Sequence, residues 1–235
     1  MLNKQITFGG EKIPAWIASA PTIIKPERKM TVTSIAGTNR EAVEMEDAWE
    51  PYDQPYTMFV GDGTENSIQQ DLATTARILY KTGWQTLADD YDAETFRLAY
   101  YKGPFDVENR YTRAGKFDIE FHCRPERFLN SGNVETTVAS GDTINNPTAY
   151  DAKPLIRIEG SGSGNLTVNG TTMAFTGIID YLYIDCDKMD CYRLPTENRN
   201  SNMTGEFPKL SSGNNTVTYT GGITTVKITP RFFIF

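Results

Sequence analysis

A chain of 235 residues can hold one large or two ordinary domains, and 39% apolar with 23% charged residues excludes a disordered acidic polymer. A net charge of −7 argues against a sequence-independent nucleic-acid binder, which needs a basic footprint, and against a polybasic membrane anchor. Three cysteines are too few for a disulfide scaffold. The start, Met1 to Thr7, has no apolar export region, so the expectation is a chain folded in a reducing cytoplasm with free thiols. With 12 Tyr, 12 Phe, 19 Gly and 12 Pro, the composition leans to β structure.

Phe8 to Ile24 reads as short strands broken by Gly9-Gly10, Pro14 and Pro21. Met30 to Ile35 alternates as a half-buried strand should, Gly37 marks a turn, and Glu41 to Met45 returns, giving a hairpin. Glu41 to Asp53 is strongly acidic and contains no Lys or Arg. Tyr56 to Val60 is a strand. Ser67-Ile68-Gln69-Gln70 fits a capping box. Ile68, Leu72, Ala76 and Leu79 then share a helical face and Gly83 follows as a cap, so one helix is expected over about 67–82. Phe96 to Tyr101 and Gly115 to Cys123 read as strands, and Asn130 to Asn133 as a boundary. Beyond it lie only strands and turns. Leu155–Glu159, Leu166–Val168, Thr171–Phe175, Tyr181–Asp185, Cys191–Leu194, Asn215–Tyr219 and Thr224–Thr229 are separated by turn signals at the spacing of a sandwich or jelly roll.

The chemistry-bearing residues form no enzyme constellation. His122 is the single histidine; Asp118, Glu120 and His122 share a strand face, where alternation places polar residues anyway. Asp185 to Asp190 lacks the Gly and terminal Glu of a calcium loop and reads as a hairpin with Lys188-Met189 at its tip, Cys186 opposite Cys191. Gly160 to Gly164 has no following Lys-Ser/Thr and reads as a tight β-connection rather than a phosphate loop. Asp89, Asp90, Asp92 and Glu94 read as a solvated loop, and Trp16, Trp49 and Trp84 as core or interface residues, with a sugar platform as the alternative. No catalytic, cofactor-binding or metal-binding residue is assigned, and no cofactor is expected.

Several strings taken together carry a resemblance. Asn146-Pro147-Thr148 precedes Lys153-Pro154-Leu155-Ile156-Arg157-Ile158-Glu159-Gly160-Ser161-Gly162 and Leu166-Thr167-Val168-Asn169-Gly170. Gly205-Glu206-Phe207-Pro208-Lys209-Leu210, Gly213 to Val217 and Val226 to Phe232 follow, and Phe117 to Pro125 closes the first half. In this order they resemble the distal tail proteins of siphophages, over essentially the whole chain.

The resemblance implies a mainly β chain of two domains. The first, 1–130, would be a ring-forming, β-sandwich-like domain with one helix, related to tail-tube subunits; the second, 131–235, a galectin-like β-sandwich. It implies a structural virion protein and no enzyme: a hub ring, usually hexameric, that joins the tail tube to the baseplate or tip fibre and lets DNA pass. Its partners would be other copies of itself, the tail-tube protein, the tape-measure protein and a tail-tip or tail-associated fibre protein, with no specific nucleic acid and no membrane. It would reside in the virion after assembly in the host cytoplasm. The alternative is a glycan-binding module that contributes to cell-surface recognition. The acidic run Glu41 to Asp53 would either line the channel or form a solvated outer loop.

Overall fold

Period-two alternation governs nearly every element of the computed structural model, which describes residues 4–61, 68–111 and 114–235. Two units are distinguished, one running to Arg127 and including Phe235, the other Phe128–Ile234. Asn130–Asn133 forms a 3-10 turn at the start of the second unit, with Gly132 buried.

The first unit contains β1 (Ile6–Phe8), β2 (Glu11–Lys12), β3 (Trp16–Ile17), β4 (Arg28–Ser34), β5 (Glu41–Trp49), β6 (Tyr52–Val60), α1 (Ile68–Leu79), β7 (Gln85–Asp89), β8 (Asp92–Tyr101), β9 (Val107–Tyr111) and β10 (Ala114–Leu129). Its main sheet runs β2-β1-β7-β8-β10-β6-β3, with β9 also on β10. Phe117, Ile119, Phe121 and Cys123 face the core from β10, as the alternation requires, beside Phe8, Tyr56 and Met58.

Helix α1 ends at Leu79 rather than Thr82, and Gly83 does take a left-handed φ of 74°. The expected capping residue Ser67 lies outside the described residues. The buried positions are Ile68, Thr75, Ile78 and Leu79, so the face turns slightly from the apolar one and buries Thr75 instead of Ala76. The end of the helix is pinned to β2. Arg77 and Lys81 meet the two oxygens of Glu11 at 2.6 and 2.7 Å, and Lys81 also donates to the Gly9 carbonyl at 2.8 Å. Those two cations lower the Glu11 carboxyl to about 2.

The second unit contains β11 (Thr136–Val138), β12 (Thr143–Asn146), β13 (Leu155–Val168), β14 (Thr171–Asp185), β15 (Asp190–Tyr192), β16 (Met203–Gly205), β17 (Gly213–Thr229) and β18 (Phe233–Ile234). Seven of these make a sheet of order β11-β17-β13-β14-β15, with β12 on β17 and β16 on β14. Three pairs of expected short strands prove to be three long ones: β13, β14 and β17 each run unbroken through the glycines that read as turns.

The reason is steric. The registers of β13 with β14 and β17 shift at Gly160 to Gly164, so the strands bend there without ending. A Cβ on Gly222 would lie 1.8 Å from the Ser161 carbonyl oxygen, and one on Gly160 would lie 2.0 Å from that of Gly222. Only glycine lets the backbones approach that closely. The stretch Gly160 to Gly164 is therefore neither a phosphate loop nor a connection, but the corner of a folded sheet. The arms on either side of the corner enclose one core: Ile156, Ile158 and Val226 from one, Leu166, Val168 and Val217 from the other. This is the sandwich-type arrangement that the residue spacing suggested, reached with fewer and longer strands.

Candidate assembly surface

Strands β4 and β5 form a two-stranded sheet of their own, outside the main sheets. Met30 pairs with Met45, Val32 with Val43, and Thr31 with Glu44. Directly opposed residues of an antiparallel pair share a face. Met30, Val32, Val43 and Met45 therefore lie together on one side, Thr31, Thr33, Ala42 and Glu44 on the other. The apolar four are 53, 48, 51 and 59% exposed. The sequence expectation of a hairpin is met, but that of a half-buried strand is not, because among the described residues nothing covers the apolar face. The turn is closed by the Ile35 amide donating to the Arg40 carbonyl at 3.1 Å, with Gly37 at a φ of 78°. The base is tied by Arg28 Nε donating to the Glu46 carbonyl at 3.0 Å and by the Glu50 amide donating to that of Glu27 at 2.8 Å. An exposed amphipathic hairpin of this kind can take up a partner's apolar surface or extend a partner's sheet.

Most of the acidic run falls in strands, with Glu50 in the short connection between them. Glu41, Glu44, Glu46 and Asp47 belong to the exposed β5, whereas Asp53 is anchored in β6. Asp53 accepts from Lys102 at 3.1 Å and lies 2.6 Å from His122 Nδ1. Its hydrogen bond with His122 is the largest influence; burial opposes it, and the Lys102 hydrogen bond and charge add to it, so the carboxyl is held below the usual range.

The other chemistry-bearing residues are dispersed. Asp118 takes a hydrogen bond from Thr57 Oγ1 at 2.6 Å, while Glu120 points to solvent. Asp89 is buried rather than solvated. It accepts from Tyr56 Oη at 2.7 Å and lies 3.4 Å from the Arg97 guanidinium, whose Nε reaches Tyr52 Oη at 3.0 Å. Arg97 at an inward position of β8 was the signal for this network, since an alternating strand puts an arginine inside only opposite a partner. Asp90 accepts the Gln5 amide at 2.8 Å, and Asp92 accepts from Thr95 and Arg127. Among the described residues no group of three or more His, Cys, Asp or Glu side chains is placed to hold a metal ion.

The three tryptophans do not form one platform. Trp49 packs on Phe235 with ring centres 4.4 Å apart, Trp84 meets Tyr100 at 5.0 Å under the Arg124 guanidinium, and Trp16 lies in β3. The expected pairing of Cys186 with Cys191 is corrected. The closing pair is Asp185 with Asp190, the turn has four residues, and Cys191 faces Ile184 across the strands. Asp185 forces this wider turn by accepting the amides of Asp187 and Lys188. Both thiols are free and buried, which pushes Cys186 to about 12 and Cys191 to about 11.

No protein-family model and no curated protein matches the chain. Solved structures do. The Dit protein (gp 19.1) of phage SPP1, described as a paradigm of hub adsorption apparatus in phages that infect Gram-positive hosts, aligns with a TM-score of 0.71 at 14% identity. That alignment covers 96% of this chain and 98% of that one. The phage P2 baseplate in its activated conformation aligns with TM-scores of 0.54 with calcium and 0.55 with strontium, at 10 and 9% identity. There the coverage is 96% of this chain and 97% of those. Over nearly its whole length, then, the chain has a fold shared with phage tail and baseplate proteins.

Proposed function

We propose that this chain is a structural hub protein of a phage tail. It assembles into a closed ring, joins the tail tube to the baseplate or tip fibre, and works by assembly rather than catalysis. The observation that carries the reading is the β4–β5 hairpin, with four apolar side chains on one uncovered face. Identical subunits arranged about an axis need a heterologous interface, in which a projecting element of one copy meets a different surface of the next. A two-stranded sheet that leaves its own core suits that use, because burying its apolar face costs the free subunit no contact. The full-length likeness to a hub protein and to a baseplate supports the same reading. A ring of acidic subunits would leave DNA free to slide, since no counterions are released to hold it.

The test is mass by light scattering, alone and with the tube protein. We expect the wild type to form a multiple of the 26.3 kDa subunit and Met45→Glu with Val32→Asp to remain a folded monomer. A strict monomer in the assembled tail, or a ring indifferent to both substitutions, would sink the proposal.

A further inference from the structure

We infer that Met30 and Met45 form a reversible oxidation site, which a hydroperoxide converts to a pair of sulfoxides, turning the apolar face of the β4–β5 hairpin polar. The two residues stand directly opposite each other in the ladder, with Val32 and Val43 as the next pair on the same side. Both thioethers are more than half exposed, so an oxidant in solution reaches their sulfurs without any opening of the fold.

The rest of the chain concentrates the reaction there. Met58 and Met173 are fully buried, and Met203 packs against the second core. Cys123, Cys186 and Cys191 are buried as well. Loss of hydration pushes the thiols of Cys123 and Cys186 up to about 12 and that of Cys191 to about 11. None therefore presents the thiolate that reacts with a peroxide at neutral pH. Met189 is exposed too, but it belongs to the second unit, in the turn between β14 and β15. Among the described residues, only the hairpin sets two accessible thioethers side by side on one apolar surface.

In the step itself, the sulfur lone pair attacks the outer oxygen of the hydroperoxide. An S–O bond forms and the O–O bond breaks. The departing oxygen takes up the proton and leaves as an alcohol, or as water from hydrogen peroxide. Each sulfur loses two electrons and the peroxide gains them. The new oxygen accepts hydrogen bonds, and Met30, Val32, Val43 and Met45 carry no side-chain donor to meet it. In water this costs little, so the free subunit stays folded. Burial against a partner's apolar surface leaves two acceptors unsatisfied in each hairpin, which weakens the contact. That effect on assembly rests on the ring reading; the reactivity of the site does not.

The test treats the full chain with hydrogen peroxide and maps the oxidised peptides by mass spectrometry. We expect Met30 and Met45 to gain one oxygen each, at least about tenfold faster than Met58 and Met173 in the folded chain. Light scattering on the same samples, with the tube protein where assembly needs it, should show an association constant lowered at least about tenfold. Circular dichroism should stay unchanged, and a methionine sulfoxide reductase should restore the mass. Met30→Leu with Met45→Leu keeps the face apolar, so that variant should stay assembled in peroxide, whereas Met189→Leu should remain sensitive. Oxidation of Met30 and Met45 no faster than that of the buried pair would overturn the inference. So would a ring whose mass is unchanged once both are sulfoxides. If the untreated chain never associates, the ring reading fails, and the peptide map decides the oxidation site by itself.

Discussion

Asn146 and Asn215 illustrate what the pattern residues do. The Asn146 amide donates to the carbonyls of Tyr150 and Leu210, both at 2.9 Å, and accepts from the Thr148 amide and hydroxyl at 3.0 and 2.8 Å. Asn215 donates to the Ser211 and Gly213 carbonyls at 2.8 and 2.9 Å and accepts the Ser211 amide at 2.8 Å. Both side chains are buried, so each satisfies loop backbone groups that water cannot reach. The strings that carry the family resemblance were legible in the sequence; their role as loop fasteners was not, because most partners are backbone groups of the same loops and the sequence does not show that these loops are buried. Asn215→Ala strands those groups, and we expect a loss of about 2 kcal/mol by chemical denaturation. Asp185 and Arg231 make a second such fastening at 2.7 Å, with the carboxylate buried. Burial pushes the Asp185 carboxyl up, but the Arg231 hydrogen bond and charge, with the Lys188 and Asp187 amides, outweigh it and leave it below its ordinary value. A carboxyl lowered by folding contributes stability above its unfolded value and loses it as pH falls through the folded one. Asp185→Asn should therefore cost about 2 kcal/mol at neutral pH. The gap to wild type should narrow once pH drops below about 4, as read by urea titrations across that range.

At the level of elements, the strand interiors were readable and their ends were not. Glycine marks a turn in most sequences, and the same residue here marks a bend at which the ladder continues. No local signal separates the two cases, since the distinction rests on whether a neighbouring backbone approaches, as Gly222 does to Ser161. Gly222→Ala would force those backbones apart, and we expect about 3 kcal/mol or more of destabilisation in thermal or denaturant melts. The hairpin was legible as a hairpin, but alternation cannot say whether its apolar side meets its own core or another molecule. That leads to a discriminating expectation. Val32→Thr and Val43→Thr should shift the stability of the isolated subunit by no more than about 0.5 kcal/mol, because exposed positions contribute little. The same pair should weaken self-association measured by sedimentation.

For the whole molecule, charge and the fastening of the second unit matter most. With a net charge of −7, we expect no retardation of duplex DNA in gel shift even at low salt. Residues 231–235 carry weight out of proportion to their number. The Arg231 amide donates to the Gly132 carbonyl at 2.7 Å, Phe232 is buried in the core, and Phe233 stacks on Tyr150 at 5.7 Å. Deletion of Arg231 to Phe235 should give insoluble protein or a non-cooperative melt by circular dichroism. Phe232, Phe233 and Phe235 stand out in the sequence as an apolar end, but the clamp does not. Arg231 sits at a φ of 58°, and no periodicity announces a left-handed arginine.

The long strand β17 also dictates a timetable. Strands β13 and β14 meet across the two-residue turn Asn169-Gly170, both at positive φ, and can zip from their nearest partners outward. Strand β17 pairs instead with residues made much earlier, Leu155 with Thr229 and Val138 with Val226. Such distant closures are slow. On the ribosome, the β13–β14 hairpin must wait with its inner edge open until residue 229 has cleared the exit tunnel. Pulse-labelled hydrogen exchange during refolding should protect the amides between β13 and β14 before those shared with β17.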